Sequence, residues 1–147
     1  MSCIFQGTPQ MPSRPFRLSN VATFQGLSAG DLALLEAQLI PLDVARGDCV
    51  VSEGDDADAL FVVVSGRFAV EIGGNPEPVT EIGQGATIGE IAFFAGGQRT
   101  ATVRAIRDSV VVRLSRADFD GISSRAPAIW TTITATLATR LAAETRK

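Results

Sequence analysis

The sequence of 147 residues contains no histidine and no tyrosine, and its only lysine is Lys147. Without histidine there can be no Ser-His-Asp or Cys-His catalytic arrangement and no ordinary histidine-based zinc site. Without an internal lysine, a Schiff-base lysine and a phosphate-loop lysine are also excluded. Among common catalytic designs, those built on pairs of carboxylates remain.

Cysteine is scarce as well. Cys3 and Cys49 are far apart in the sequence, and Cys3 belongs to a proline-containing N-terminal tail. We therefore expect no disulfide framework and a cytoplasmic location. No apolar run approaches the length of a membrane span.

The charge balance is slightly acidic, with 13 basic and 16 acidic residues and a formal net charge of −3. Binding to a nucleic acid backbone requires a basic face, so this balance argues against nucleic acid as a partner. Hydrophobic residues make up 46% of the chain, which indicates a globular domain rather than a disordered segment. At this length one domain with one substantial core is expected.

The first 17 residues contain Pro9, Pro12 and Pro15 and read as a flexible N-terminal tail, so that the domain spans 18–147. A helix is predicted next. Ser28 and Asp31 have the spacing of a helix cap, and the proline at position 41 sets the end of this helix near residues 40–41. Leucines follow the cap at helical spacing, at Leu32, Leu35 and Leu39.

From about residue 42 to 114, short apolar runs alternate with glycine, aspartate and proline turns, which is typical of a sandwich or barrel. The run at 59–64 has no polar face, so that strand is expected to be buried on both sides. The predicted strands are 42–45, 49–52, 59–64, 67–72, 78–82, 100–105 and 109–114.

Two helices are predicted over about 115–146. Ser115 suits the cap of the first, which ends near Ser124, and Pro127 suits the first turn of the second. The second helix carries an apolar stripe at Ile129, Trp130, Ile133, Leu137 and Leu141. The pattern thus indicates a mainly β, α+β fold with flanking helices.

Residues 88–103 hold the most informative stretch of the chain. A helical turn after Gly89 would direct the free N–H groups of Ile91 and Ala92 at an anion. Arg99 could bind a phosphate through two charge-assisted hydrogen bonds. Glu90 is unsuited to a phosphate but can accept a hydrogen bond from a sugar hydroxyl. Together these residues specify a sugar phosphate with a single negative charge.

This stretch resembles a known family. The segments Gly89-Glu90-Ile91-Ala92 and Arg99-Thr100-Ala101-Thr102-Val103 are similar to the phosphate-binding cassette of cyclic nucleotide-binding domains. Glu53-Gly54-Asp55, Asp58, Leu60-Phe61-Val62-Val63 and Ser65-Gly66 resemble the turn, strand and turn that precede the cassette. The resemblance runs from about Phe24 to the C-terminus.

The resemblance implies a double-stranded β-helix, a jelly-roll-like β-roll with an N-terminal helix and two C-terminal helices, as in catabolite activators and protein kinase A regulatory subunits. It implies cAMP or cGMP as the ligand. Thr100 leaves cGMP open, and we favour cAMP. The implied ligand-binding residues are Gly89, Glu90, Ile91, Ala92, Arg99, Thr100 and Ala101, with Val70 and Val79 or Ile82 lining the base.

The resemblance also implies regulation rather than catalysis. Ligand would rearrange the C-terminal helices and so act on an effector, either an attached domain or a separate partner, with a homodimer through the last helix as a further option. Transcription factors, channels, kinases and lipid hydrolases in this family carry such domains. Asp55, Asp56 and Asp58 lack the spacing of a calcium loop and read as turn residues, so no metal is expected.

Two other functions are compatible with a β-roll. The first is an interaction or dimerisation module that no longer binds nucleotide, although Glu90 and Arg99 argue against it. The second is a small jelly-roll enzyme of the cupin kind, which needs metal-binding histidines that this sequence lacks.

Overall fold

The computed structural model describes residues 8–9, 17–75 and 77–145 of the chain. Its strands are β1 (Thr8–Pro9), β2 (Ile40–Val44), β3 (Cys49–Val51), β4 (Ala59–Ser65), β5 (Arg67–Glu71), β6 (Thr80–Gly83), β7 (Thr87–Ile88), β8 (Thr102–Ala105) and β9 (Ser109–Ser115). They form a five-stranded sheet of order β1-β2-β9-β4-β7 and a four-stranded sheet of order β3-β8-β5-β6. All strand pairs are antiparallel, which confirms the predicted mainly β fold.

One helix lies between β1 and β2, a short one lies between β7 and β8, and two follow β9. They are α1 (Ala29–Glu36), α2 (Glu90–Ala95), α3 (Arg116–Arg125) and α4 (Pro127–Thr145), and two 3-10 turns, Leu18–Asn20 and Ala22–Phe24, precede α1. The predicted caps are confirmed. Ser28 accepts a hydrogen bond from the backbone N–H of Asp31 at 3.1 Å, and Ser115 accepts one from that of Asp118 at 3.1 Å.

Strand β4 lies between two hydrophobic cores. Leu60 and Val62 belong to a core shared with the helices, which we call the helical core. Ala59, Phe61 and Val63 belong to a core enclosed by the two sheets, which we call the roll core. Alternate side chains of a strand point to opposite faces, so one strand supplies both cores. The prediction that this strand is buried on both sides is confirmed, because every residue from 59 to 63 is buried.

The last helix closes the helical core. Ile129, Ile133 and Leu137 of the predicted stripe are buried, whereas Trp130 is 41% exposed. The side chain of Leu141 lies outside the described part of the chain. Helix α4 also packs against the second 3-10 turn.

The turn between β4 and β5 requires glycine at position 66. Gly66 has a φ of +102°, and a Cβ atom there would lie 1.9 Å from Oγ of Ser109. This close approach allows the Ser109 hydroxyl to accept a hydrogen bond from the backbone N–H of Arg67 at 3.2 Å.

Several element boundaries differ from the sequence prediction. Helix α1 ends at Glu36 rather than near residue 40, because Ile40–Val44 pairs with β9 as strand β2. The predicted strand at 78–82 is Thr80–Gly83, and the one at 100–105 begins only at Thr102. Strand β7 was not predicted, because two residues are too few for a visible alternation.

Two expectations about the N-terminal region also need correction. Thr8–Pro9 pairs with Leu42 and Asp43 of β2, so the tail is not wholly flexible, and its other residues up to position 16 lie outside the described part. Cys49 is disulfide-bonded, contrary to the expectation from the cysteine count, and Cys3 lies outside the described residues. Over the described ranges, no helix is both long and apolar enough to cross a membrane.

Candidate functional site

A cavity of about 230 Å³ opens beside the N-terminus of α2. One side is apolar and comes from the strands of the roll, while the other comes from the two segments that the sequence singled out, 89–92 and 99–101. Its lining consists of Val51, Val70, Ile82, Thr87, Ile88, Gly89, Glu90, Ile91, Ala92, Arg99, Thr100, Ala101 and Val103. The two halves of the predicted cassette therefore face one hollow.

Gly89 is the N-cap of α2 and also makes room for Arg99. Its backbone is left-handed, with φ +77° and ψ +23°. A Cβ atom at this position would lie only 2.0 Å from Nη1 of Arg99. Glycine is thus required twice, once for the turn and once for the guanidinium that packs against it.

Arg99 is buried, with 5% of its surface exposed. Its Nη1 donates to the carbonyl oxygen of Gly89 at 3.2 Å, and its Nη2 donates to that of Ala59 at 2.5 Å. A guanidinium has five N–H donors, so these two bonds fix its position and leave donors for an anion. Over the described residues, no carboxylate forms an ion pair with Arg99 within 4.0 Å.

The main chain of Arg99 is fixed by the acidic loop at 54–58. Its N–H donates to the carbonyl oxygen of Asp55 at 2.7 Å, and its carbonyl oxygen accepts from the N–H of Gly54 at 2.9 Å. Burial lowers the pKa of Arg99, and the nearby charges of Asp58 and Asp55 partly oppose that shift. The result is a desolvated cation, which an anionic ligand would stabilise.

Glu90 lies at the start of α2, and its carboxylate is already oriented. Its Oε2 accepts a hydrogen bond from Oγ1 of Thr87 at 2.8 Å and a short one from Oγ1 of Thr23. The two hydroxyl oxygens lie 3.2 Å apart. Thr87 belongs to β7, while Thr23 belongs to the second 3-10 turn and is 1% exposed.

Most of the predicted site residues meet at this cavity. Its lining includes Gly89, Glu90, Ile91, Ala92, Arg99, Thr100, Ala101, Val70 and Ile82. Val79 does not line the cavity. It is 62% exposed and precedes β6 in the connection from β5. Its backbone N–H donates to the carbonyl oxygen of Val70 at 2.8 Å.

Sequence reasoning missed four lining residues and one residue behind them. Val51, Ile88 and Val103 are apolar strand residues, and nothing in a single sequence separates such a residue from ordinary core. Thr87 is polar and lies close to the motif, and these two features could have indicated a site residue. Thr23 is distant in the sequence and carries no signal at all. Within the described residues, no three cysteine, aspartate or glutamate side chains cluster in a way that could hold a metal ion.

Comparison with known proteins agrees with this geometry. The family model described as the cyclic nucleotide-binding domain matches residues 41–126. The chain is 33% identical over 104 residues to a CRP-like cAMP-activated global transcriptional regulator of Mycobacterium tuberculosis, covering 67% of this chain and 46% of that protein. It is 34% identical over 113 residues to a cyclic nucleotide-gated potassium channel of Rhizobium etli, covering 77% and 31%. It is also 32% identical over 124 residues to a lysophospholipase of Candida albicans, covering 75% and 9%.

Solved structures match the fold as well. The N-terminal domain of a transcriptional regulator from Streptomyces coelicolor A3(2) superposes with a TM-score of 0.73 at 28% identity, over 85% of this chain and 89% of that one. The regulatory domain of Toxoplasma gondii PKA, solved with cAMP, gives a TM-score of 0.67 at 28% identity, over 71% and 41%. The catabolite activator protein of Thermus thermophilus gives 0.71 at 25% identity, over 85% and 60%.

The curated relatives are longer than this chain, which spans less than half of each of the three described above. Their whole-protein activities therefore do not transfer. The likenesses confirm the predicted β-roll with flanking helices. The matched region, the fold and the cavity between the two halves of the motif agree, and the chain belongs to the cyclic nucleotide-binding domain family.

Proposed function

We propose that this chain binds cAMP in preference to cGMP and passes the binding event to an effector. The observation that carries the proposal is the shared cavity of Arg99 and Glu90. In the proposed complex the buried guanidinium binds the cyclic phosphate, and the carboxylate accepts from the ribose 2′-hydroxyl. Gly89, Ile91, Ala92 and Ala101 contribute main-chain contacts.

The charge of the cavity favours a ligand with one negative charge. Arg99 supplies one cation, and Glu90 would repel a second negative charge on the ligand. A cyclic phosphodiester carries a single charge, whereas a phosphate monoester carries nearly two at neutral pH. The relative from M. tuberculosis is described as cAMP-activated, and the T. gondii neighbour was solved with cAMP, which supports the choice of cAMP.

The base is expected against the apolar side of the cavity, near Val70 and Ile82. The cavity of about 230 Å³ is smaller than the roughly 300–1,000 Å³ typical of ligand pockets, so the base would extend toward the open side. The exposed Thr100 lies at the edge of the cavity, where its hydroxyl could contact the amino group of guanine. We expect Thr100→Ala to weaken cGMP more than cAMP.

Calorimetric titration with cAMP, cGMP and 5′-AMP tests the proposal. We expect cAMP to bind most tightly, and 5′-AMP to bind at least tenfold more weakly than cAMP. Arg99→Lys keeps the charge but loses the two-pronged geometry, and it should weaken cAMP by roughly 10- to 100-fold, since a charge-assisted hydrogen bond contributes about 1.5–3 kcal/mol. The control is Arg125→Lys at the exposed end of α3, which should leave affinity unchanged.

A wild-type chain that binds none of these nucleotides would contradict the proposal and favour the interaction module instead.

The effector could be an attached domain or a separate partner, and relatives include a transcriptional regulator, a channel and a lysophospholipase. We further propose that the domain itself is not an enzyme and that a homodimer through α4 is one route to the effector. We also propose that this signalling takes place in the cytoplasm, a location that the cysteine count no longer supports because Cys49 is disulfide-bonded.

A further inference from the structure

The carboxylate of Glu90 is held by a residue that lies outside the family motif. Thr23 is 67 residues away in the sequence, and its hydroxyl donates to Oε2 of Glu90. A second hydroxyl on this oxygen is that of Thr87, two residues before the cassette segment at 89–92. Of the two, Thr23 is the more buried, at 1% exposure.

The segment that carries Thr23 is anchored in the helical core. Its 3-10 turn, Ala22–Phe24, has Phe24 in the helical core at 1% exposure and the adjoining Val21 at 2%. The turn is also packed against α4, where the hydroxyl of Thr136 donates to the carbonyl oxygen of Gln25 at 3.3 Å. A hydroxyl on a segment that is held in this way is preorganised, so it can fix the orientation of the carboxylate at little entropic cost.

We infer that Thr23 is a positioning residue that sets the ribose selectivity of the cavity through Glu90. The inference rests on the proposed function, because it requires Glu90 to accept from the ribose 2′-hydroxyl. With Oε2 held by two hydroxyls, the carboxylate plane is fixed and its other oxygen has a defined direction. Removing the Thr23 hydroxyl takes away one of the two hydroxyl bonds to Oε2 and so loosens the orientation of the carboxylate.

The measurable quantity is the ratio of the dissociation constants of 2′-deoxy-cAMP and cAMP. In the wild-type chain we expect a ratio of roughly 10 to 100, as for a hydrogen bond to a charged group. Thr23→Val keeps the shape of the side chain and removes the hydroxyl, and it should lower this ratio by about three- to tenfold. Thr23→Ser restores the hydroxyl and should return the ratio to the wild-type value.

The matched control is Thr136→Val, the same exchange at the contact between α4 and the segment that carries Thr23. Thr136 bonds to a backbone carbonyl and not to Glu90. The control should leave the ratio at its wild-type value, even if it lowers the melting temperature slightly. If Thr23→Val does not fold, Thr23→Ala removes the hydroxyl without placing a methyl group against the carboxylate, and the same ratio is measured.

Each outcome decides one question. No binding of cAMP by the wild-type chain overturns the proposed function itself. Binding of cAMP with a wild-type ratio near one overturns the role of Glu90, and with it this inference, while nucleotide binding stands. A wild-type ratio well above one that stays unchanged in Thr23→Val overturns the positioning role of Thr23 alone. The same holds if Thr23→Val weakens cAMP and 2′-deoxy-cAMP equally.

Discussion

A single methyl group at position 89 would collide with the guanidinium on which the site depends. Gly89→Ala places a Cβ atom 2.0 Å from Nη1 of Arg99 in a backbone with φ +77°. We expect this variant to lose at least tenfold in cAMP affinity and about 1–3 kcal/mol in stability, the latter from backbone strain. Calorimetry and urea unfolding measure the two effects.

The control for this variant is Gly73→Ala. Gly73 has φ +70°, but a Cβ atom there meets nothing within 4 Å. It should lose a similar amount of stability and keep its affinity for cAMP. Equal affinities of Gly89→Ala and wild type would mean that the guanidinium tolerates displacement, contrary to the proposed role of Arg99.

At the level of residues, the sequence predicted most of the residues that line the cavity but not the hydrogen bonds that hold them. The motif could be predicted because Gly89, Arg99 and the residues around them lie within one short stretch of the sequence. The carbonyl partners of Arg99 and the contact of Thr23 with Glu90 join distant segments, and only the folded chain brings them together. The resemblance left Val79 and Ile82 as alternatives for the base, and the structure shows that Ile82 lines the cavity while Val79 lies in the connection before β6.

At the level of elements, Arg116 joins α2 to α3. Its guanidinium donates to the carbonyl oxygens of Phe93 and Ala57 and lies 4.4 Å from the centre of the Phe93 ring. Its backbone N–H donates to the carbonyl oxygen of Asp58 at 2.9 Å. One residue at the start of α3 thus holds the end of α2 and the loop beside the site.

We expect Arg116→Gln to lower the free energy of unfolding by about 2 kcal/mol, because charge-assisted bonds to two carbonyls are lost. Urea denaturation measures this change. The control is Arg125→Gln at the exposed end of α3, whose guanidinium donates to the carbonyl oxygen of Gly121 in its own helix, and it should change stability by less than about 0.5 kcal/mol. Equal losses in the two variants would contradict the bridging role of Arg116.

The only tryptophan reports on the contact between α2 and α4. The ring centre of Trp130 is 5.9 Å from that of Phe94 and 6.0 Å from that of Phe119. If cAMP moves α4 relative to α2, as the proposed coupling requires, tryptophan emission should change in intensity or wavelength during titration. Arg99→Lys at the same cAMP concentration should show a much smaller change. Constant emission at calorimetric saturation would mean that α4 stays in place.

Element prediction succeeded where the local signal was strong. The caps at Ser28 and Ser115, the buried strand β4 and the buried part of the α4 stripe at Ile129, Ile133 and Leu137 all follow from local rules. The end of α1 was wrong because the leucine spacing continued past Glu36, and pairing with β9 overrode it at Ile40. Such tertiary pairing is invisible in a single sequence.

At the level of the whole molecule, the two cores depend on the same strand. Leu60 in the helical core and Val63 in the roll core are 1% and 0% exposed. Leu60→Ala should cost about 2–5 kcal/mol, and Val63→Ala about 2 kcal/mol, from lost burial and residual cavity. Their side chains point to opposite faces, so the double variant should be additive within about 0.5 kcal/mol. Urea unfolding of the three variants tests this, and strong non-additivity would indicate that the cores are packed as one.

The two-sided character of β4 makes its register against β9 critical. A shift of β4 by one residue against β9 would exchange the two sets of side chains, sending Phe61 toward the helices and Leu60 into the roll. No partial repacking repairs such an exchange, because every residue from 59 to 63 is buried. Single-residue insertions within this strand should therefore abolish folding, while insertions in the exposed turn at Gly73-Gly74 should be accepted.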